Sequence, residues 1–233
     1  MKIHGFNTLT LLDYPGHIGA ILFLGGCNFR CPFCQNAGLV LHPEQEPWVP
    51  EEEVFSCLKK RRGVLEGICI SGGEPTLYND LPQLVRQIKN LGYKVKIDTN
   101  GTNPAMLRHL HAEGLIDYIA MDIKSSKKNY GCASGINTFH LTPIEESVDF
   151  LMHSGIDYEF RTTVVQELHR DSDFEDIAIW LQGCRRYFLQ AYQHSDQIIS
   201  PGFHSHTYEK MESFAAILRK KIPLVDLRGI DKY

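Results

Sequence analysis

No stretch of this sequence approaches the roughly 20 consecutive apolar residues of a membrane-spanning helix, which excludes a membrane span from the expectations. A surplus of positive charge is also missing. The net charge is −4 with acidic and basic residues interspersed, which argues against a basic nucleic-acid groove. Met1-Lys2-Ile3-His4-Gly5 lacks the apolar run of a signal peptide, so the expected compartment is the cytosol. No repeat or low-complexity segment is present. A hydrophobic share of 43% against 22% charged residues is ordinary for a folded chain and excludes global disorder. With 233 residues, a single domain spanning 1–233 is the simplest expectation. The seven cysteines are odd in number and follow no secretion signal, a poor disulfide framework. Three of them, Cys27, Cys31 and Cys34, nevertheless fall within eight residues, whereas Cys57, Cys69, Cys132 and Cys184 are dispersed.

Short β-branched apolar runs alternate with amphipathic stretches. The pattern predicts strands at 18–24, 67–71, 94–98, 118–123, 158–165 and 186–191. It predicts helices at 51–62, 80–91, 104–113, 144–154, 174–181 and 208–220. Pro50, Pro104 and Pro143 stand near predicted helix starts and Gly92, Gly114 and Gly155 after predicted ends. Six strand–helix units imply an α/β fold with a parallel sheet. Six is short of the eight of a full barrel, so a partial TIM-like (β/α)6 barrel is the expected architecture.

In such folds the active site gathers at the carboxyl ends of the strands. The chemically distinctive residues do follow predicted strands: Gly25-Gly26-Cys27 the first, Gly72-Gly73-Glu74 the second, and Asp98-Thr99-Asn100-Gly101 the third. Asp122-Ile123-Lys124 ends the fourth and Arg161 lies in the fifth, so these groups are expected to line one wall of a site.

The spacing Cys27-x3-Cys31-x2-Cys34 lets three thiolates on one loop reach three irons of a cubane cluster and leaves the fourth iron open. The same thiolates would serve a structural zinc, with His42 as a fourth ligand, and the spacing alone leaves both readings standing.

A Cys-x3-Cys-x-aromatic-Cys motif after a first strand resembles the signature of the radical S-adenosylmethionine (SAM) superfamily. The resemblance implies a partial barrel of that type and a [4Fe–4S] cluster on Cys27, Cys31 and Cys34, with SAM chelated at the open iron. Reductive cleavage of SAM would then yield a 5′-deoxyadenosyl radical that abstracts hydrogen from a substrate. Phe33 would lie beside the adenine; without the resemblance it reads as a core phenylalanine. Gly72-Gly73-Glu74 resembles the family's second-strand motif, and Glu74 is suited to accept from the SAM ammonium. Standing alone it would read as a turn.

Asp13-Tyr14-Pro15-Gly16, Asp98-Thr99-Asn100-Gly101 and Asp122-x-Lys124 are similar to stretches of glycyl radical enzyme activases. Asp98, Asn100, Asp122, Lys124, Arg161 and His204 are the implied further cofactor contacts, and Asp13 is assigned to a docking surface for the partner. Each has a structural alternative: a polar strand exit, an ion pair at the barrel end, a solvated histidine. Across essentially the whole chain the resemblance is to activating proteins of anaerobic ribonucleoside-triphosphate reductase. That implies a glycine Cα of this partner as the hydrogen donor and a flavodoxin or ferredoxin as electron donor, since no ferredoxin-like insert follows Cys34. Related pyruvate formate-lyase activases carry a methionine in a monovalent-cation site where Ala120 stands here. Asp98, Thr99 and Asp122 remain as oxygen ligands, so such a cation stays an option. His194, His204 and His206 form no recognised metal-ligand spacing. Three rivals remain: a small-molecule enzyme similar to 7-carboxy-7-deazaguanine synthase, an activase of pyruvate formate-lyase, and a zinc-binding module.

Overall fold

A computed structural model describes residues 1–136, 138 and 140–231. Chain contacts divide it into two compact units, Met1–Asn28 with Gly38–Ala120 and Phe29–Ala37 with Met121–Tyr233. Within each unit the strands neighbour one another in the order in which they occur along the chain.

The first unit opens with β1 (Ile3–Thr10), antiparallel to β2 (Gly19–Leu24). β2 then pairs in parallel with β3 (Gly67–Gly72), and β3 with β4 (Lys94–Thr99). Ala20, Ile21, Leu22 and Leu24 of β2 and Ile68, Cys69 and Ile70 of β3 are buried, the unbroken apolar run of a strand covered on both faces. Helices α1 (Ala37–Leu41), α2 (Glu51–Lys60), α3 (Leu81–Asn90) and α4 (Pro104–Ala112) connect the strands. On α3 the apolar spacing Leu81, Leu84, Val85, Ile88 places one stripe against the sheet. Each such side chain, fully buried, contributes about 1.5–3 kcal/mol. The Asn103 side chain caps α4 by accepting the Met106 N–H at 3.2 Å. β5 (Tyr118–Asp122) begins in this unit and ends in the next.

The second unit holds α5 (Tyr130–Ser134), α6 (Thr142–His153), β6 (Asp157–Val164), α7 (Asp171–Trp180), β7 (Tyr187–Ala191), α8 (Tyr208–Leu218) and β8 (Val225–Arg228). β6, β7 and β8 are parallel, with Phe160 opposite Tyr187 and Tyr187 opposite Val225. Phe174 of α7 and Phe214 of α8 meet at a ring-centroid distance of 4.3 Å, which joins the two helices. No described helix is long and apolar enough to cross a membrane.

All six predicted strands and all six predicted helices are present within a few residues of their expected bounds. Two strands are additional. β1 carries Gly5, Asn7, Thr8 and Thr10, poor in the apolar alternation that signals a strand, and β8 has four residues.

Candidate active site

In the first unit the exits of β2 and β3 are joined backbone to backbone. The N–H of Gly73 donates to the Leu24 carbonyl and that of Glu74 to the Gly26 carbonyl, both at 2.8 Å. This closeness is why two glycines are needed. A Cβ on Gly72 would stand 2.2 Å from the Leu24 oxygen, and one on Gly73 would stand 1.9 Å from the Gly26 oxygen. Gly72 also has φ +118°, which L side chains rarely adopt. The Tyr78 hydroxyl donates to the Gly25 carbonyl at 2.8 Å, fixing the segment that presents Cys27.

Glu74 is wholly buried. Its Oε1 accepts from the Thr76 N–H (3.0 Å), the Thr76 hydroxyl (2.5 Å) and the Thr99 hydroxyl (2.8 Å), and Oε2 accepts the Asn100 N–H at 2.6 Å. Burial pushes its pKa up, opposed by these donors. Oε1 thus carries three donors of the chain and Oε2 one, and Glu74 brackets the β3 and β4 exits. Asn100 Nδ2 reaches Asn28 Oδ1 at 2.8 Å and lies 3.8 Å from Cys27 Sγ, so the β4 exit is tied to the first thiol. Asp98 pairs with Lys96, which is buried and also donates to Cys69 Sγ at 3.7 Å; the Ser71 hydroxyl donates to the second Asp98 oxygen at 3.0 Å.

In the second unit Cys31 is buried and Cys34 half-buried, joined by a turn in which the Cys34 N–H donates to the Cys31 carbonyl at 2.9 Å. The segment after β7 is laced to this loop: Ser200 N–H to the Pro32 carbonyl (2.8 Å), Ile199 N–H to that of Cys34 (3.2 Å). Phe33 is buried with His169 and Phe203 at centroid distances of 6.4 and 6.1 Å.

Asp122 binds two cations, Lys124 Nζ at 2.8 Å and Arg161 Nε at 2.5 Å. Burial works against its charge, but Arg161 and then Lys124 outweigh that and hold its carboxyl well below the usual range. Burial likewise opposes the charge on Lys124, and Asp122 together with nearby Cys31 reverses the balance and raises its pKa. A fixed ammonium near Cys31 favours the thiolate that a metal requires. His169, buried in the loop after β6, accepts the Val165 N–H at Nδ1 (3.1 Å). Its proton is therefore on Nε2, which donates to the Lys124 carbonyl at 2.8 Å. Burial lowers its pKa and keeps it neutral. His204 is exposed and contacts Glu167, Nδ1 to Oε1 at 2.8 Å.

Lys96, His169 and Thr76 were not singled out from the sequence. A lysine two residues before an aspartate on an apolar strand is the available signal for Lys96; nothing local marks His169. Asp13 is placed differently from its expected docking role. It accepts from the Thr10 hydroxyl at 2.6 Å in the turn at the amino end of β2, whereas Cys27 follows the carboxyl end. Six strand residues, about 20 Å, separate the two ends.

Among the described residues no three His, Cys, Asp or Glu side chains gather as a site for one ion. The oxygens proposed for a monovalent cation are already compensated, Asp98 by Lys96 and Asp122 by Arg161 and Lys124.

Sheet order, strand-end chemistry and the three-thiol loop define a cofactor-dependent α/β enzyme. The chain belongs to the radical SAM superfamily, whose profile matches residues 21–181. It is 34% identical over 199 residues to a Methanocaldococcus jannaschii protein provisionally named a glycyl-radical enzyme activating enzyme; the match spans 83% of this chain and 81% of that one. It is also 33% identical over 109 residues to the 7-carboxy-7-deazaguanine synthase of Aquifex aeolicus, 46% of each chain. Among solved structures, Streptococcus suis SuiB bound to S-adenosylmethionine is similar with a TM-score of 0.67, at 16% identity, over 90% of this chain and 52% of that one. This likeness shows the fold, a partial (β/α) barrel of the radical SAM type. The family implies a [4Fe–4S] cluster and SAM as cofactors.

Proposed function

We propose that this chain is the activating enzyme of a glycyl radical enzyme, with anaerobic ribonucleoside-triphosphate reductase as its partner. The observation that carries the reading is the match to the Methanocaldococcus jannaschii protein, which spans more than four-fifths of both chains. Cys27, Cys31 and Cys34 would hold the cluster. When bound, the cluster and SAM supply a hydrogen-abstracting radical through one-electron reductive cleavage of SAM.

The chain's own groups prepare for this. Lys124, held by Asp122, sets a positive charge beside Cys31 and stabilises its thiolate. Asn100 offers an amide hydrogen to the Cys27 sulfur, and such hydrogen bonds tune an iron–sulfur centre. Phe33 offers an apolar surface, and Asp98, Arg161 and His204 are the remaining candidates for SAM contact. The other cysteines are unsuited to a second cluster. Cys69 and Cys184 are buried, with the Cys184 thiol pushed up to about 12 by burial, and Cys57 and Cys132 lie on separate helices. An external flavodoxin or ferredoxin in the cytosol would therefore deliver the electron.

The test is an anaerobic mixture of the reconstituted protein, SAM, reductant and the reductase, followed by electron paramagnetic resonance. A glycyl radical doublet on the reductase is expected. Turnover of a deazapurine precursor with no doublet would favour the small-molecule reading raised by the Aquifex aeolicus relative.

A further inference from the structure

One buried charge has no part in the proposed chemistry. Lys96, on β4, is 1% exposed, and a lysine is almost never so buried unless it is paired. Residues two apart on a strand share a face, so Lys96 and Asp98 lie on one side of β4. Cys69 and Ser71 share a face of the neighbouring β3, with Cys69 opposite Lys96. All four side chains meet. The Lys96 ammonium donates to Asp98 Oδ1 and lies 3.7 Å from Cys69 Sγ, and the Ser71 hydroxyl donates to Asp98 Oδ2 at 3.0 Å.

A buried ion pair seldom repays its own desolvation, and an apolar pair of similar volume would serve the fold as well or better. The place of this pair gives it a use. Asp98 is the last residue but one of β4, at the carboxyl end where active sites gather. The two residues after it hold Glu74 through the Thr99 hydroxyl and the Asn100 N–H, and Asn100 Nδ2 lies 3.8 Å from Cys27 Sγ. Lys96 and Ser71 engage one Asp98 oxygen each, which fixes the plane of the carboxylate. The Asp98 side chain keeps 10% of its surface open against 2% for Lys96, so a bound molecule can reach the carboxylate but not the ammonium.

We propose that Lys96 is a positioning residue of the SAM site: it holds the Asp98 carboxylate in place to accept from a donor group of bound SAM. Lys96 acts through Asp98 and not by contact. An ammonium against a carboxylate favours the charged form, and hydrogen bonds to a charged acceptor are roughly twice as strong as neutral ones. Without the ammonium the carboxylate takes up a proton or turns from its place, and either change weakens the contact. The inference concerns the cofactor that the family implies, not the activase reading, and holds whichever substrate the chain acts on.

The experiment is calorimetry of SAM binding to the anaerobic holoenzyme, with thermal unfolding of the apo-protein measured beside it. Lys96→Met fills the space without the charge and should weaken SAM binding about tenfold or more. Adding Asp98→Asn replaces the ion pair by neutral groups. This double variant should unfold near the wild-type temperature while SAM stays weakly bound. Lys96→Ala leaves a slot that a dissolved propylammonium ion can fill. At equal ionic strength propylammonium should recover much of the SAM affinity and tetramethylammonium, which has no N–H to donate, none of it. Wild-type SAM affinity in Lys96→Met overturns the proposal. So does a double variant that regains SAM affinity together with stability, because the pair then serves the fold alone. Equal recovery with both amines overturns the ammonium's role. The reductase assay separates this from the activase reading. A glycyl radical on the reductase with undiminished SAM affinity in Lys96→Met removes the positioning role and keeps the activase. Weakened SAM binding in Lys96→Met with no glycyl radical from the wild type keeps the positioning role and removes the activase.

Discussion

The carboxylate of Glu74 accepts the backbone N–H of Asn100 at 2.6 Å and thereby fixes the exit of β3 against the exit of β4. Thr76 and Thr99 load the other oxygen with three further donors, so Glu74 acts on the fold. Glu74→Gln places an amide donor among donors. It should destabilise the protein by about 2–4 kcal/mol before any cofactor is added. Thermal or urea unfolding of the apo-protein measures this. Wild-type stability with weakened SAM binding alone would show that Glu74 serves SAM directly.

Gly73 and Gly92 make a matched pair of substitutions. Alanine at Gly73 puts a methyl 1.9 Å from the Gly26 oxygen, so the backbone joint must open. A loss of more than about 3 kcal/mol and poor incorporation of iron are expected. Alanine at Gly92 meets nothing within 4 Å and carries only the strain of φ +91°, about 1 kcal/mol. Equal losses in the two variants would contradict the close-approach explanation.

Acid should weaken the fold in two windows. His169 and His206 have folded pKa values below the ordinary histidine value, so the unfolded chain takes up their protons first. Their contribution is complete above about pH 6.5 and declines as the pH falls below it. Asp122 is an acid with a depressed folded pKa, so its contribution is present above about pH 4 and is lost at lower pH. Unfolding free energies across pH 4.5–7.5 should show the first decline, and His169→Gln should flatten much of it. An unchanged slope in that variant would exclude His169 as a titrating group.

Lys124→Gln leaves Asp122 with Arg161 alone and removes the ammonium near Cys31. A destabilisation of about 1–2 kcal/mol is expected, since one charge-assisted hydrogen bond is lost while Arg161 still compensates Asp122. Electrochemistry of the reconstituted variant should give a more negative cluster potential. A potential unchanged from wild type would mean that Lys124 does not act on the cluster.

SAM affinity should be the same in potassium, sodium and choline salts, because Asp98 and Asp122 already hold protein cations. Calorimetry in the three salts at equal ionic strength decides this. A potassium requirement would restore the monovalent-cation site.

The elements legible in the sequence were those that bury a continuous apolar face. β2 to β7 announce themselves by such runs, whereas β1 is an edge strand of mixed polarity and β8 is too short for periodicity to register. The three cysteines, Gly72-Gly73 and Asp122–Lys124 were legible because their spacing is local. Lys96 with Cys69 and His169 with the Lys124 carbonyl were not, since each pairing joins segments 27 and 45 residues apart. Asp13 is a different case, because only the antiparallel β1–β2 register reveals which end of the strand it occupies.

The central claim is that hydrogen is taken from a glycine of a protein partner. Anaerobic reductase labelled with deuterated glycine, mixed with the reconstituted enzyme, SAM and reductant, tests it most directly. The account predicts deuterium in the 5′-deoxyadenosine released, in step with a glycyl radical on the reductase. Unlabelled 5′-deoxyadenosine and no protein radical, at full SAM consumption, would contradict it.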